Sequence, residues 1–135
     1  MKSFRFFLAT GLLLLAASCT SQPTTADKKA ELCSNLATLN TSIATLRSMG
    51  PNSSVGDFRK AQDNVKDAYN AVKKSAEAVQ DAKVADLDQA YAELEKAIRR
   101  VPNNATMQQA AQSIQPQVVA VQTAQDQARS GLSCQ

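Results

Sequence analysis

The chain has 135 residues, enough for one domain, and 44% of them are hydrophobic. It carries 15 basic and 12 acidic residues, but two of the basic ones, Lys2 and Arg5, belong to an N-terminal leader. From Cys19 onward, 13 basic residues face 12 acidic ones, which leaves no electrostatic footprint for nucleic acid. The chain has no histidine, which excludes Ser-His-Asp and Cys-His catalysis and histidine-containing metal sites.

Residues 1–18 have the layout of a secretory signal peptide. A short basic start is followed by FFLATGLLLLAA, an apolar run of 12 residues, and then by small residues. A membrane-spanning helix needs about 20 apolar residues, so the run predicts a leader that is removed. We therefore expect an exported protein.

The end of the leader, Leu15-Ala16-Ala17-Ser18-Cys19, resembles the lipobox of bacterial lipoproteins. The family usually has leucine where this chain has Ala16. The resemblance implies that Cys19 is acylated and tethers the chain to the cell membrane or the outer membrane, facing the periplasm or the exterior. The alternative is an ordinary signal-peptidase cut that releases a soluble protein beginning at Cys19.

The number of cysteines bears on that alternative. Three cysteines in an oxidising compartment leave one without a partner. If Cys19 carries lipid, Cys33 and Cys134 remain as a pair. Exported thiols normally oxidise and stay oxidised, so we expect a structural Cys33–Cys134 disulfide and not a redox switch.

Residues 19–25 form a polar tether, and residues 26–135 are predicted to be an all-α domain, since no segment alternates like a strand. The first helix is expected at about 26–49, with a capping-box-like start at Thr24 and Asp27. Gly50-Pro51 should end it, the glycine adopting the left-handed conformation. Its apolar stripe consists of Leu32, Leu36, Leu39, Ile43 and Leu46.

A second helical segment is predicted over 54–100, where Ser54 and Asp57 repeat the capping pattern. Val65, Ala76, Leu87 and Ile98 recur every 11 residues, a period that stays aligned along a nearly straight helix. The stripe is interrupted where Gln80 and Lys83 occupy it. Two layouts follow: one long helix with a polar waist, or two helices with a break near 80–85.

The last helix is predicted over 105–131. Thr106 and Gln109 form a third capping pattern, and Pro116 should kink the helix because it removes one hydrogen bond. Gly131 is the expected C-terminal cap. The predicted buried face comprises Met107, Ala110, Ile114, Val118, Val121 and Ala128.

The two cysteines favour the long-helix layout. A disulfide needs Cα atoms about 4.4–6.8 Å apart, and a helix rises about 1.5 Å per residue. If 54–100 is continuous, counting from the turns sets Cys33 and Cys134 level with about residues 70 and 71. A turn near residue 82 would instead separate them by roughly 30 Å along the axis.

These patterns predict a lipid-anchored envelope protein with a structural or interaction role. It resembles small alanine-rich helical bacterial lipoproteins. We expect no catalytic residues, no metal site and no cofactor. Each end of the long-helix layout would be only two helices thick, so Val79, Val84 and Val101 are expected to contact a second copy or an envelope protein. The alternative function is a carrier with an apolar pocket near Pro116.

Overall fold

The computed structural model describes residues 21–135, and within them the protein is an all-α bundle. Helix α1 spans Thr25–Arg47, α2 spans Val55–Ala76, α3 spans Ala85–Arg100 and α4 spans Met107–Gly131. The predicted all-α class is confirmed. The signal peptide, Cys19 and Thr20 lie outside the described residues.

Three of the four helices begin where the capping patterns predict. Thr24, Ser54 and Thr106 each accept a hydrogen bond from the backbone N–H three residues later, and the side chain there accepts one in return. The expectation for Gly50 is wrong, because no glycine in residues 21–135 has a positive φ. Helix α1 ends at Arg47, two residues before the predicted end, and the N–H of Ser48 donates to Ala44 O in an ordinary right-handed turn.

The continuous helix over 54–100 is also wrong. The chain leaves the helix after Ala76 and runs through turns before α3 begins at Ala85. A continuous helix would bring Gln80 and Lys83 onto the buried stripe, and burial of an unpaired charge is costly. The turns keep both side chains exposed and bury Val79 in the core, where it is 8% exposed.

The long-helix layout would be only two helices thick at each end. In the structure, all four helices contribute to one core. Helices α1 and α2 form one antiparallel hairpin, α3 and α4 form another, and α1 packs against α4. Val79 belongs to this core, so the expectation that it contacts a partner is wrong. Val84 and Val101 are half-buried against the core, and their contact with a partner stays a prediction. Leu32, Leu36 and Leu39 are wholly buried. Burial of each side chain stabilises the folded state by about 1.5–3 kcal/mol relative to leaving it exposed.

Four helices and the disulfide coexist because the hairpins are not symmetric about their turns. A fold centred on residue 82 would set Tyr69 level with residue 95. Tyr69 instead stacks on Tyr91, four residues earlier, which raises α3 by about 6 Å. The segment between α3 and α4 is not helical, and its first and last residues, Val101 and Thr106, have extended backbone.

Candidate functional site

Cys33 and Cys134 are joined by a disulfide, with their Cα atoms 5.5 Å apart although the residues are separated by 101 positions in the chain. This pairing was predicted and is confirmed. It links the first half of α1 to the residues that follow α4. The start of α1 therefore lies at the disulfide end of the bundle.

A helix-ending motif turns Cys134 back toward α1. Ser133 is left-handed, with φ 54°, while the N–H of Cys134 donates to Arg129 O and the N–H of Ser133 donates to Ser130 O. Those two bonds define a Schellman motif. The expectation that Gly131 would be the cap is wrong, since Gly131 is the last helical residue and Ser133 adopts the left-handed conformation.

Polar contacts fix the register of α1 against α4. Gln125 is fully buried between them, and its Nε2 donates to Leu36 O at 2.7 Å. No donor in residues 21–135 reaches Gln125 Oε1. Farther along, Arg47 Nη1 donates to Gln122 Oε1 at 3.2 Å. A buried polar side chain of this kind favours one alignment of two helices over its neighbours.

Two open depressions lie along the outer side of the α1–α4 seam. The larger, of about 800 Å³, is at the disulfide end and includes Ala30 and Ala37 in its wall. The smaller, of about 340 Å³, lies between the α1–α2 turn and the first half of α4, and includes Gly50 and Gln115. Its lining residue Gln115 directly precedes Pro116, through which α4 continues. The carrier alternative stays a prediction.

Charge is strongly segregated between the helices. No Asp, Glu, Lys or Arg occurs from Leu32 to Leu46 in α1 or from Met107 to Gln125 in α4. Helices α2 and α3 together carry 15 charged residues. Because α1 packs against α4, the two uncharged stretches lie side by side. We call the accessible residues of these stretches on the outer side of the seam, together with Ala30 at the larger depression, the α1/α4 face. It consists of Ala30, Ser34, Ala37, Thr41, Ala44, Gln112, Gln115, Val119, Gln122 and Thr123.

The threonine hydroxyls of this region already have acceptors within their own helices. Thr38, Thr41 and Thr45 each donate to the carbonyl four residues earlier, at 3.0–3.2 Å. Thr123 donates to Val119 O in the same way. Because these donors are satisfied, a partner can cover them without leaving a buried hydroxyl proton unpaired.

On the opposite side of the bundle, the backbones of α2 and α3 do not pack closely, and aromatic rings lie between the two helices. Tyr69 and Tyr91 stack with ring centroids 3.8 Å apart, and the Tyr69 hydroxyl donates to Asp88 Oδ1 at 2.7 Å. Burial, followed by the nearby Glu95 carboxylate, raises the pKa of Tyr91 to about 12. Burial, followed by the hydrogen bond to Asp88, raises the pKa of Tyr69 well above its usual range.

The remaining chemistry of the described residues is limited. No group of three or more His, Cys, Asp or Glu side chains in residues 21–135 is placed to hold a metal ion. None of the four helices in this range combines the length and apolarity that a membrane span requires. Comparisons with protein-family models, curated protein sequences and solved structures give no match.

Sequence reasoning found the two bonded cysteines but missed the α1/α4 face. The signal was present as two long stretches without a charged residue, one in each helix. The two stretches form one surface because α1 packs against α4, and the sequence alone does not show that these helices are neighbours. Gln125 was missed as well, although it follows Val118 and Val121 at the spacing of the buried stripe.

Proposed function

We propose that this chain is an exported, lipid-anchored protein of the cell envelope, whose helical domain has a structural or protein-interaction role and no catalytic one. One observation carries the proposal. The disulfide consumes Cys33 and Cys134, so Cys19 is the one cysteine of the three outside that bond. An exported protein with an odd number of cysteines has one thiol that no internal disulfide uses. The lipobox resemblance implies that this thiol, on Cys19, is acylated.

The disulfide also supports the proposed compartment. Bonds of this kind persist in exported proteins and are rare where cytosolic reductants keep thiols reduced. The signal-peptide layout of residues 1–18 agrees with that compartment.

The proposed role as an interaction protein is supported by what the bundle exposes. Its core is filled by aliphatic side chains, and the charged groups of α2 and α3 are mostly at the surface. Within residues 21–135, the α1/α4 face is a long surface formed by two stretches without a charged residue. The tether joins the bundle at the disulfide end. From that end, the α1/α4 face extends along α1 and away from the membrane.

Acylation is tested with a Cys19→Ala variant of the full chain. We expect the natural chain to partition into the detergent phase on Triton X-114 separation, and Cys19→Ala to move to the aqueous phase or to accumulate unprocessed. Mass spectrometry of the mature N-terminus should show a Cys19 residue carrying acyl chains.

The matched control is the double variant Cys33→Ser/Cys134→Ser. It also removes thiols, but it keeps Cys19 and should therefore remain in the detergent phase. A Cys19→Ala protein that was processed yet stayed in that phase would contradict the anchor.

A further inference from the structure

We infer that the α1/α4 face binds a second copy of this chain. The inference rests on the interaction role proposed above, but it does not depend on acylation of Cys19. We infer a second copy from three properties of the face, which are its neutrality, its area and the internal hydrogen bonds of its threonine hydroxyls.

The charge distribution favours a like partner on this side of the bundle. A face without charges meets its own copy without like-charge repulsion, which costs several kcal/mol when such charges are juxtaposed at an interface. It also offers no ion pair to a highly charged protein. Charged groups lie at its ends, where Lys29 and Arg129 edge the larger depression and Arg47 edges the smaller one.

The area of the face suits a weak dimer. The uncharged stretches cover 15 residues of α1 and 19 residues of α4, so they are about 22 and 28 Å long. With each helix about 10 Å across, they present about 500 Å² to a partner. Two such faces bury about 1,000 Å² in total, which is the lower end of the range for a specific interface.

The chemistry of the face suits close packing of helices. Ala30, Ala37 and Ala44 let another helix approach, and Val119 is 43% exposed near the middle of α4. The threonine hydroxyls donate within their own helices, so covering them strands no donor. In a two-fold dimer, α1 of each copy would lie against α4 of the other, which completes a four-helix arrangement across the axis.

Thr41 and Val119 mark the centre of the face. Thr41 lies on α1 between the residues that line the two depressions, and Val119 does so on α4. Each follows a lining residue, Ala37 or Gln115, by four positions and therefore lies on the same side of its helix. Both side chains are exposed, so substitution there leaves the core intact.

The experiment uses two charge variants of the full chain in place of a single disruptive one. One carries Thr41→Lys and Val119→Lys, and the other carries Thr41→Glu and Val119→Glu. Each variant is co-expressed with a differently tagged copy of itself or of the other, and the tagged pairs are co-purified in mild detergent. We expect the Lys–Lys and Glu–Glu pairings to fall at least about tenfold below the natural chain, and the Lys–Glu pairing to recover.

The matched control is Asn64→Lys/Asn70→Lys, which adds the same two charges to exposed positions of α2 and should leave co-purification unchanged. Circular dichroism and the intact Cys33–Cys134 bond on non-reducing gels check that every variant is folded. A photo-crosslinking residue placed at Thr41 in cells should give a product of twice the chain mass, and one placed at Asn64 should not.

Several results would overturn the inference. These are undiminished Lys–Lys pairing, no recovery in the Lys–Glu mixture of folded variants, an equal loss in the α2 control, or crosslinks from Thr41 to a different protein only. A Cys19→Ala copy separates the two proposals, since it should still pair with itself after leaving the membrane. An anchored chain that fails to pair would refute the dimer and leave the anchor standing.

Discussion

Ser133 occupies a position that helices usually give to glycine. It has φ 54°, whereas Gly131, two residues earlier, is helical. A left-handed conformation costs a residue with a Cβ about 1–2 kcal/mol, and glycine inside a helix costs about 0.5–1 kcal/mol relative to alanine. Glycine would therefore be more favourable at position 133, and a residue with a Cβ more favourable at position 131.

We predict that Gly131→Ala and Ser133→Gly each raise the free energy of unfolding by about 0.5–1 kcal/mol. A Cβ on Gly131 would meet no atom within 4 Å, so alanine adds helix propensity without a clash. Urea unfolding of the oxidised protein measures both effects. Ser130→Gly, at an exposed helical position, is the control and should lower stability by a similar amount. Destabilisation by Gly131→Ala would contradict the helical assignment of that glycine.

At the scale of helices, the two seams of the bundle are held differently. The α1–α4 seam is aligned by Gln125 and by the bond between Arg47 and Gln122. The α2–α3 seam depends on the stacked rings of Tyr69 and Tyr91 and on the bond to Asp88. The second seam contains ionisable phenols, so its stability depends on pH.

We predict that the bundle loses stability as pH rises above about 10. Both phenols bind their protons more tightly in the folded state, so their contribution is complete below the unfolded pKa of about 10. It is lost as pH rises toward the folded pKa, which is about 12 for Tyr91. Absorbance at 295 nm should show both tyrosines ionising well above pH 10 in the native protein and near 10 in denaturant. A Tyr69→Phe variant should retain only the Tyr91 transition, and native titration near 10 would contradict the burial of the pair.

Local signals predicted the helix starts, whereas nonlocal packing decided the break between α2 and α3. Three helices begin at side-chain caps that can be read within four residues. The start of α3 has no such cap, since Val84 makes no side-chain hydrogen bond to the helix, and residues 77–84 contain neither glycine nor proline. The polar waist at Gln80 and Lys83 was the one indication. Choosing between the two layouts required the register that Tyr69 and Tyr91 set between distant segments.

At the scale of the molecule, one covalent bond joins the two hairpins. Cys33 lies in the first hairpin and Cys134 follows the second, so the disulfide closes the bundle across the α1–α4 seam. Elsewhere along this seam, noncovalent contacts hold the hairpins together. The chain-entropy model assigns a loop of about 100 residues roughly 4.7 kcal/mol of stabilisation, and measured values are typically about 2–4 kcal/mol.

We predict that reduction lowers the free energy of unfolding by about 2–4 kcal/mol. The reduced protein should melt at a lower temperature by circular dichroism, because its unfolded chain gains conformational freedom. The Cys33→Ser/Cys134→Ser variant should match the reduced protein and show no further response to reductant. Equal melting temperatures for the oxidised and reduced forms would show that the bond adds nothing to the fold.

The position of Cys134 also sets an order of events during biogenesis. Every residue of the four helices precedes it in the chain, so the ribosome has synthesised the whole bundle before this thiol exists. Cys33 must remain reduced, or be held in a temporary bond, throughout that interval. The mature disulfide is therefore a mark that all four helices have been synthesised, and a product truncated before Cys134 would be left with a reactive thiol on α1.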